Sequence, residues 1–226
     1  MGGFANNAPI VTDGLVFYVD AGNGNSYPGS GTTWSNLVSA NNGTLTNGPT
    51  YDSANAGSVV FDGVDDYTQF NQSISLTEAT FIAWIKRDGQ QNTWAGILFS
   101  RGGGGGVTGL GYRSNNNQIG YHWNGSSATW NWVSGLTIPN GEWCMAVISV
   151  SSTGLTAYLC KESGITSATN SNSHSPSTLG NLVIGRDPHS VGRSMSGNFA
   201  IGQIYNRALT STEVTQNYNA LKNRFV

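Results

Sequence analysis

Two clusters of residues have the types and spacing to do chemistry. Asp62, Asp65 and Asp66 fall within the run VVFDGVDDY (59–67), in a chain where only 10% of residues are charged. Carboxylates gathered in a glycine-containing turn are hard oxygen donors, and calcium is the cation that takes such ligands. Asp20, at the end of another candidate strand, could add an oxygen if that strand lies beside the turn. The plainer reading is an Asp-Gly turn joining two strands as a hairpin, with Phe61 and Tyr67 pinned in a core. The second cluster is aromatic: Tyr121-His122-Trp123 and Trp130-Asn131-Trp132. If each triplet lies in a strand, Tyr121 and Trp123 share one face, as do Trp130 and Trp132. Paired strands would then present a platform of rings on which a sugar stacks its C–H face, with His122 supplying a hydrogen bond. The alternative is that these rings simply fill a core as cross-strand aromatic pairs.

Other chemistry finds little footing. There is no Gly-x-Ser-x-Gly elbow and no Gly-Lys-Ser/Thr phosphate loop. His122, His174 and His189 lack paired metal-ligand spacing, and Cys144 and Cys160 lack Cys-x-x-Cys spacing. The two cysteines fall in successive strands of a hairpin. A bulged loop would set them opposite each other, within reach of a disulfide, whereas a simple two-residue turn offsets them to opposite faces; free buried thiols are the favoured reading. Arg186, Asp187, His189 and Arg193 share one loop, either a ligand edge or a solvated loop with one local ion pair.

The elements that must position these residues are strands. The chain has 226 residues, 31 of them Gly, with 11% aromatics and seven Trp. That mixture gives many short strands joined by tight turns, with ample apolar area to bury. Net charge is −2 and the ten Lys and Arg are scattered, so neither a nucleic-acid footprint nor a basic membrane-binding patch is expected. No apolar run is long enough to span a membrane, and the N-terminus does not read as a secretory signal.

Residues 1–12 read as an N-terminal arm, and 13–226 as one domain. Strands are predicted at Leu15–Asp20, Gly43–Thr46, Tyr67–Phe70, Ala79–Lys86, Gly96–Ser100, Val107–Arg113, Gln118–Trp123, Thr129–Val133, Glu142–Val150, Leu155–Lys161, Asn181–Gly185 and Gly197–Tyr205. In ATFIAWIK (79–86), Phe81, Ala83 and Ile85 point one way and Ile82 and Trp84 the other. Gly102–Gly106 reads as a mobile loop tip and Ser163–Ser177 as a polar loop. One helix closes the chain. Thr210 and Glu213 form a capping box, and Val214, Tyr218 and Leu221 form an apolar stripe set against the sandwich rim. Roughly a dozen strands with no helix between them predict an antiparallel sandwich.

Three stretches carry a family resemblance: TDGLVFYVDAGN with YPGSGTTWSNL and NGTLTNGPTY, then SVVFDGVDDY, then NLVIGRDP with NFAIGQIYNRALTSTEV. In this order they resemble the laminin-G-like domains of the concanavalin A-like lectin/glucanase superfamily, from about Val11 to Leu221. The resemblance implies an all-β jelly-roll sandwich of two antiparallel sheets. The arm and the ending ALKNRF resemble variants in tailed-bacteriophage virion proteins. That implies a virion-surface decoration or fibre role, with capsid or tail proteins and glycans as partners and a homo-oligomer as one form. A free-standing lectin is the alternative. Glucanase relatives carry a Glu-x-Asp-x-x-Glu strand. The four glutamates here, Glu78, Glu142, Glu162 and Glu213, offer no such pair, so the expectation is a non-enzyme with no cofactor beyond a candidate calcium ion.

Overall fold

The computed structural model describes residues 8–102, 105–114 and 117–225. Two large antiparallel sheets face each other across one apolar core, giving an all-β sandwich of the jelly-roll kind. The first sheet has eight strands. Its order is Gly164–Asn170, Gly154–Lys161, Trp143–Ser151, Ala79–Arg87, Ser196–Tyr205, Ser58–Asp62 and Thr50–Asp52, with Leu15–Asp20 also paired to Ser196–Tyr205. The second has seven, in the order Gln118–His122, Gly105–Arg113, Gly96–Gly102, Leu182–Ile184, Tyr67–Phe70, Gly43–Thr46 and Thr33–Trp34. A small third sheet pairs Ser177–Leu179 with Ile74–Leu76.

The period-two alternation of the strands decides what each face buries. Phe81, Ala83 and Ile85 enter the core between the sheets, where Phe17 of the first sheet meets Phe70 of the second edge-on at 5.0 Å. Ile82 and Trp84 point the other way, into a second apolar cluster on the outside of the first sheet. The C-terminal helix, Ser211–Leu221, covers that cluster. Its capping box is formed as the sequence predicts: Thr210 accepts from the Glu213 N–H, and Glu213 accepts from the Thr210 N–H at 2.9 Å. The helix lies over the sheet face rather than at the rim. Trp84 demands this, since Tyr218 stacks on it at 5.4 Å and Phe225 at 4.4 Å. The same cluster holds the end of the expected arm. Val11 is buried, its N–H donates to Asn217 Oδ1 at 2.8 Å, and its carbonyl accepts from the Tyr205 hydroxyl at 2.8 Å. Residues 1–7 of the arm lie outside the described residues.

Cys144 faces the inner core and Cys160 the outer cluster. The tight turn pairing Ser151 with Gly154 sets Met145, not Cys144, opposite Cys160, and both thiols are free. Burial pushes both thiols far above the ordinary range, which makes them inert packing groups.

Several expected elements form differently. VVFDGVDDY is not a hairpin: Ser58–Asp62 belongs to the first sheet and Tyr67–Phe70 to the second, so the acidic turn arches between sheets. Phe61 enters the core, but Tyr67 stays half-exposed, with the Arg186 guanidinium 3.8 Å from its ring centroid. The glycine run is not merely a loop tip. Gly102 pairs with Gly105 across a strand connection, while residues 103–104 lie outside the described residues. Gly164–Asn170, expected as loop, is an exposed edge strand of the first sheet. Residues 127–130 form a single helical turn, not part of a strand. Asn124 and Gly125, both with positive φ (47° and 67°), turn the chain back before it could pair.

Candidate functional site

That helical turn redistributes the aromatic residues. In the second sheet, register sets Leu98, Leu110 and Tyr121 in one row and Phe99, Gly109 and His122 in the next. The first row faces the inner core. Tyr121 and Trp123 are therefore sealed from solvent at 1% exposure each, and Trp132 packs edge-on against Tyr121 at 5.7 Å. His174 completes this interior group: its Nδ1 lies 3.0 Å from the Ser151 carbonyl and its Nε2 3.0 Å from the Tyr121 hydroxyl. A carbonyl can only accept, so Nδ1 carries the proton and Nε2 accepts from Tyr121, which in turn accepts from Asn170 Nδ2 at 2.9 Å. The four-ring platform is thus replaced by a buried polar chain beneath three rings.

The second row faces away from the inner core, and its His122 lines a cleft. Gly109 has no side chain, and the Phe99 and His122 rings meet across it at 5.0 Å. A Cβ on Gly109 would come within 2.7 Å of the Phe99 Cα, so only glycine lets the two strands approach this closely. His122 lies between two half-buried indoles, Trp94 edge-on at 6.0 Å and Trp130 tilted at 5.5 Å. The cavity is about 420 Å³, with Arg101, Arg193 and His189 along its polar side. Neither ring nitrogen of His122 has a hydrogen-bond partner among the described residues, and Nδ1 is fully buried. Burial pushes His122 down to about 4, more than the nearby Asp187 carboxylate offsets, so the ring is neutral at pH 7.

Beneath the arginines lies Asp187, fully buried. Arg101 reaches it through Nε at 2.8 Å and Nη2 at 3.1 Å, Arg193 through Nη1 at 2.6 Å, and the His189 N–H at 3.1 Å. Burial works against the charge, but these hydrogen bonds outweigh it and hold the carboxyl below its ordinary range. The Arg186–Arg193 loop is therefore built around a buried ion cluster, not a solvated pair. Gly96 makes the approach possible, because a Cβ there would collide with the Arg186–Asp187 backbone.

Trp94 adds backbone strain. Its φ is +62°, a region where a bulky side chain is costly, and such outliers gather at functional sites.

Of the expected glycan residues, the structure brings His122 and Trp130 together in the cleft and sends Tyr121, Trp123 and Trp132 to the core side. Trp94, Arg101 and Arg193 are cleft residues that the sequence reading did not join to it. The arginines are separated by more than ninety positions and meet only through Asp187, which leaves no local signal. Arg186-Asp187 with Arg193 was the one visible hint.

Asp62, Asp65 and Asp66 do converge, each offering an oxygen within 4.8 Å of the others. Asp62 Oδ1 accepts from the Val64 and Asp65 N–H groups at 2.7 and 3.4 Å, and Asp66 Oδ2 accepts from the Asp62 N–H at 3.1 Å. The donor set is hard enough for calcium, but three carboxylates fall short of its six to eight oxygens, and two already close the turn. Asp20 does not join them. Its carboxylate pairs with Arg224 and accepts from the Gly22 N–H.

No pair of carboxyl groups lines the cleft among the described residues. Asp187 is held by two arginines, and Glu213 pairs with Arg207 at 2.6 Å near the helix. The two-carboxylate geometry of glycoside hydrolysis is not assembled there.

Among solved structures, the chain superposes on Trypanosoma rangeli sialidase with a TM-score of 0.66 at 15% identity, covering 97% of this chain but only 34% of the sialidase. It superposes on domain 4 of AbnA, a GH43 extracellular arabinanase from Geobacillus stearothermophilus solved with arabinotriose, with a TM-score of 0.66 at 18% identity, covering 91% and 98%. A heptameric SAP-like pentraxin from Limulus polyphemus gives 0.54 at 19% identity, covering 72% and 81%. At such identities the likeness is one of fold. A search of curated proteins finds no match. A laminin-G family model matches residues 61–215, most of the sandwich from the acidic arch to the closing helix, and the chain belongs to the concanavalin A-like lectin/glucanases superfamily.

Proposed function

We propose that the protein is a non-catalytic carbohydrate-binding module, and that it holds a sugar ring in the cleft between Trp94 and Trp130. The observation that carries this reading is the pair of half-buried indoles flanking His122, whose nitrogens have no protein partner among the described residues. Indole faces take the C–H face of a pyranose or furanose, while the histidine and arginines take its hydroxyls. The AbnA domain of the same fold, solved with arabinotriose, is in keeping with such a role. The absence of a carboxyl pair in the cleft among the described residues favours binding over hydrolysis. The virion-surface role, with capsid or tail partners, gains no support from the fold.

A glycan array followed by calorimetry tests the reading. Trp130→Ala should lower affinity at least tenfold for any glycan that binds, since stacked rings at a site centre carry much of the energy. Unchanged affinity in Trp130→Ala and in Trp94→Ala would sink the assignment of the cleft.

A further inference from the structure

We infer that the cleft selects sugars bearing a carboxylate, with Arg101 and Arg193 as the groups that receive it. The inference rests on the reading of the cleft as a sugar site and adds the chemical class of its ligand. Two guanidinium groups converge on one carboxylate, Asp187, and leave one positive charge uncompensated. No other acidic side chain lines the cavity among the described residues. Asp187 engages only Nε and Nη2 of Arg101 and Nη1 of Arg193. Nη1 of Arg101 and Nε and Nη2 of Arg193 have no acceptor among the described residues, and both side chains are partly open, at 25% and 21% exposure.

The buried carboxylate does more than balance charge. It fixes both planar guanidinium groups from below, so their free donors face an incoming ligand without first losing rotamer freedom. A neutral hydroxyl would use those donors, but a carboxylate uses them with charge assistance and in a two-oxygen geometry. The whole chain carries a net charge of −2, so any attraction of an anion has to come from this local cluster and not from the protein's long-range field. His122, neutral at pH 7, leaves that local charge unaltered.

The test compares matched ligands on the intact chain. An array carrying hexuronate and other carboxylate-bearing oligosaccharides, beside the same oligosaccharides with the carboxyl reduced to an alcohol, identifies binders, and calorimetry measures the pairs. The acidic member should bind at least about tenfold more tightly at low ionic strength, and the gap should narrow as salt rises toward about 1 M. Arg193→Gln, which leaves the Arg101 fork on Asp187, should cost the acidic member several-fold more affinity than the reduced one and so narrow the gap between them. Equal affinity for both members overturns the inference and leaves the sugar site standing. An acidic preference unaffected by Arg193→Gln also overturns it, because the charge would then be read elsewhere. If neither class binds, or if binding ignores Trp130→Ala, the sugar site itself fails, and the inference with it. Should Arg193→Gln not fold, the matched pairs on the native chain still decide the matter.

Discussion

Arg101 forks onto the fully buried carboxylate of Asp187, with Nε on one oxygen at 2.8 Å and Nη2 on the other at 3.1 Å, across 86 residues of sequence. This pair ties the Gly96–Gly102 strand to the Arg186–Arg193 loop. Removing the carboxylate would leave two guanidinium groups crowded without their shared anion. Asp187→Ala should therefore destabilise the fold by about 3 kcal/mol, the usual scale for breaking a buried pair from one side. Chemical denaturation measures it; a loss under about 1 kcal/mol would mean that the cluster contributes little to stability. Because the folded carboxyl is held below its ordinary value, its contribution is present above that ordinary value and disappears as pH falls through the folded one.

His122 gives a second pH signature, in a different window. Its folded value of about 4 lies below the unfolded 6.5, so the unfolded chain binds the proton first. Stability from this group is complete above pH 6.5 and is lost as pH falls toward 4, by about 3 kcal/mol in all. His122→Phe keeps a ring against Phe99 and Trp130 but removes the titration. Melting curves between pH 7 and 4 should therefore fall less steeply in the variant. Parallel slopes would show that His122 is not desolvated as described.

Trp94 is held at φ +62°, in a conformation that asparagine adopts at lower cost than tryptophan. Relief of that strain, worth about 1–3 kcal/mol, should offset much of the packing lost in Trp94→Asn. The variant should melt within a few degrees of the native chain yet lose glycan affinity. Trp34→Ala is the contrast. Trp34 is fully buried and meets Phe199 edge-on at 6.0 Å, and its truncation should cost about 3–5 kcal/mol. A large fall in melting temperature for Trp94→Asn would mean that the conformation is not strained.

These residues also mark where sequence reasoning reached and where it stopped. Strict alternation made Ala79–Arg87 legible down to which side chain enters which core, since Phe81 and Trp84 are bound to opposite faces. The closing helix was legible from Thr210 and Glu213, whose reciprocal bonds are local. The edge strand Gly164–Asn170 was not, because an edge open to solvent needs no apolar face. The arch at Asp62–Asp66 was misread because a turn's residues do not say whether the next strand pairs with the last one or with the opposite sheet. The aromatic triplets were visible, but their directions depended on Asn124 and Gly125 reversing the chain. Of the cleft's charge only the Arg186–Arg193 loop was visible, because Arg101 meets Asp187 only after the sheet has formed.

The acidic arch allows a test of opposite sign. Burial raises the Asp66 carboxyl above its ordinary range, and repulsion from Asp62 and Asp65 adds to this, while the Asp62 N–H pulls the other way. A raised carboxyl costs stability once ionised, and that cost vanishes as pH falls through the folded value toward the unfolded one. Asp66→Asn removes the charge and keeps an oxygen that can accept from the Asp62 N–H, the bond that closes the arch at 3.1 Å. The variant should therefore melt at a higher temperature than the native chain at pH 7, with the difference shrinking toward acid pH. The comparison is made with a chelator present, because a cation held by the three carboxylates would relieve the same repulsion and hide the effect. A variant that melts lower under those conditions would mean that the Asp66 carboxylate contributes more as an acceptor of backbone hydrogen bonds than it costs as a buried charge.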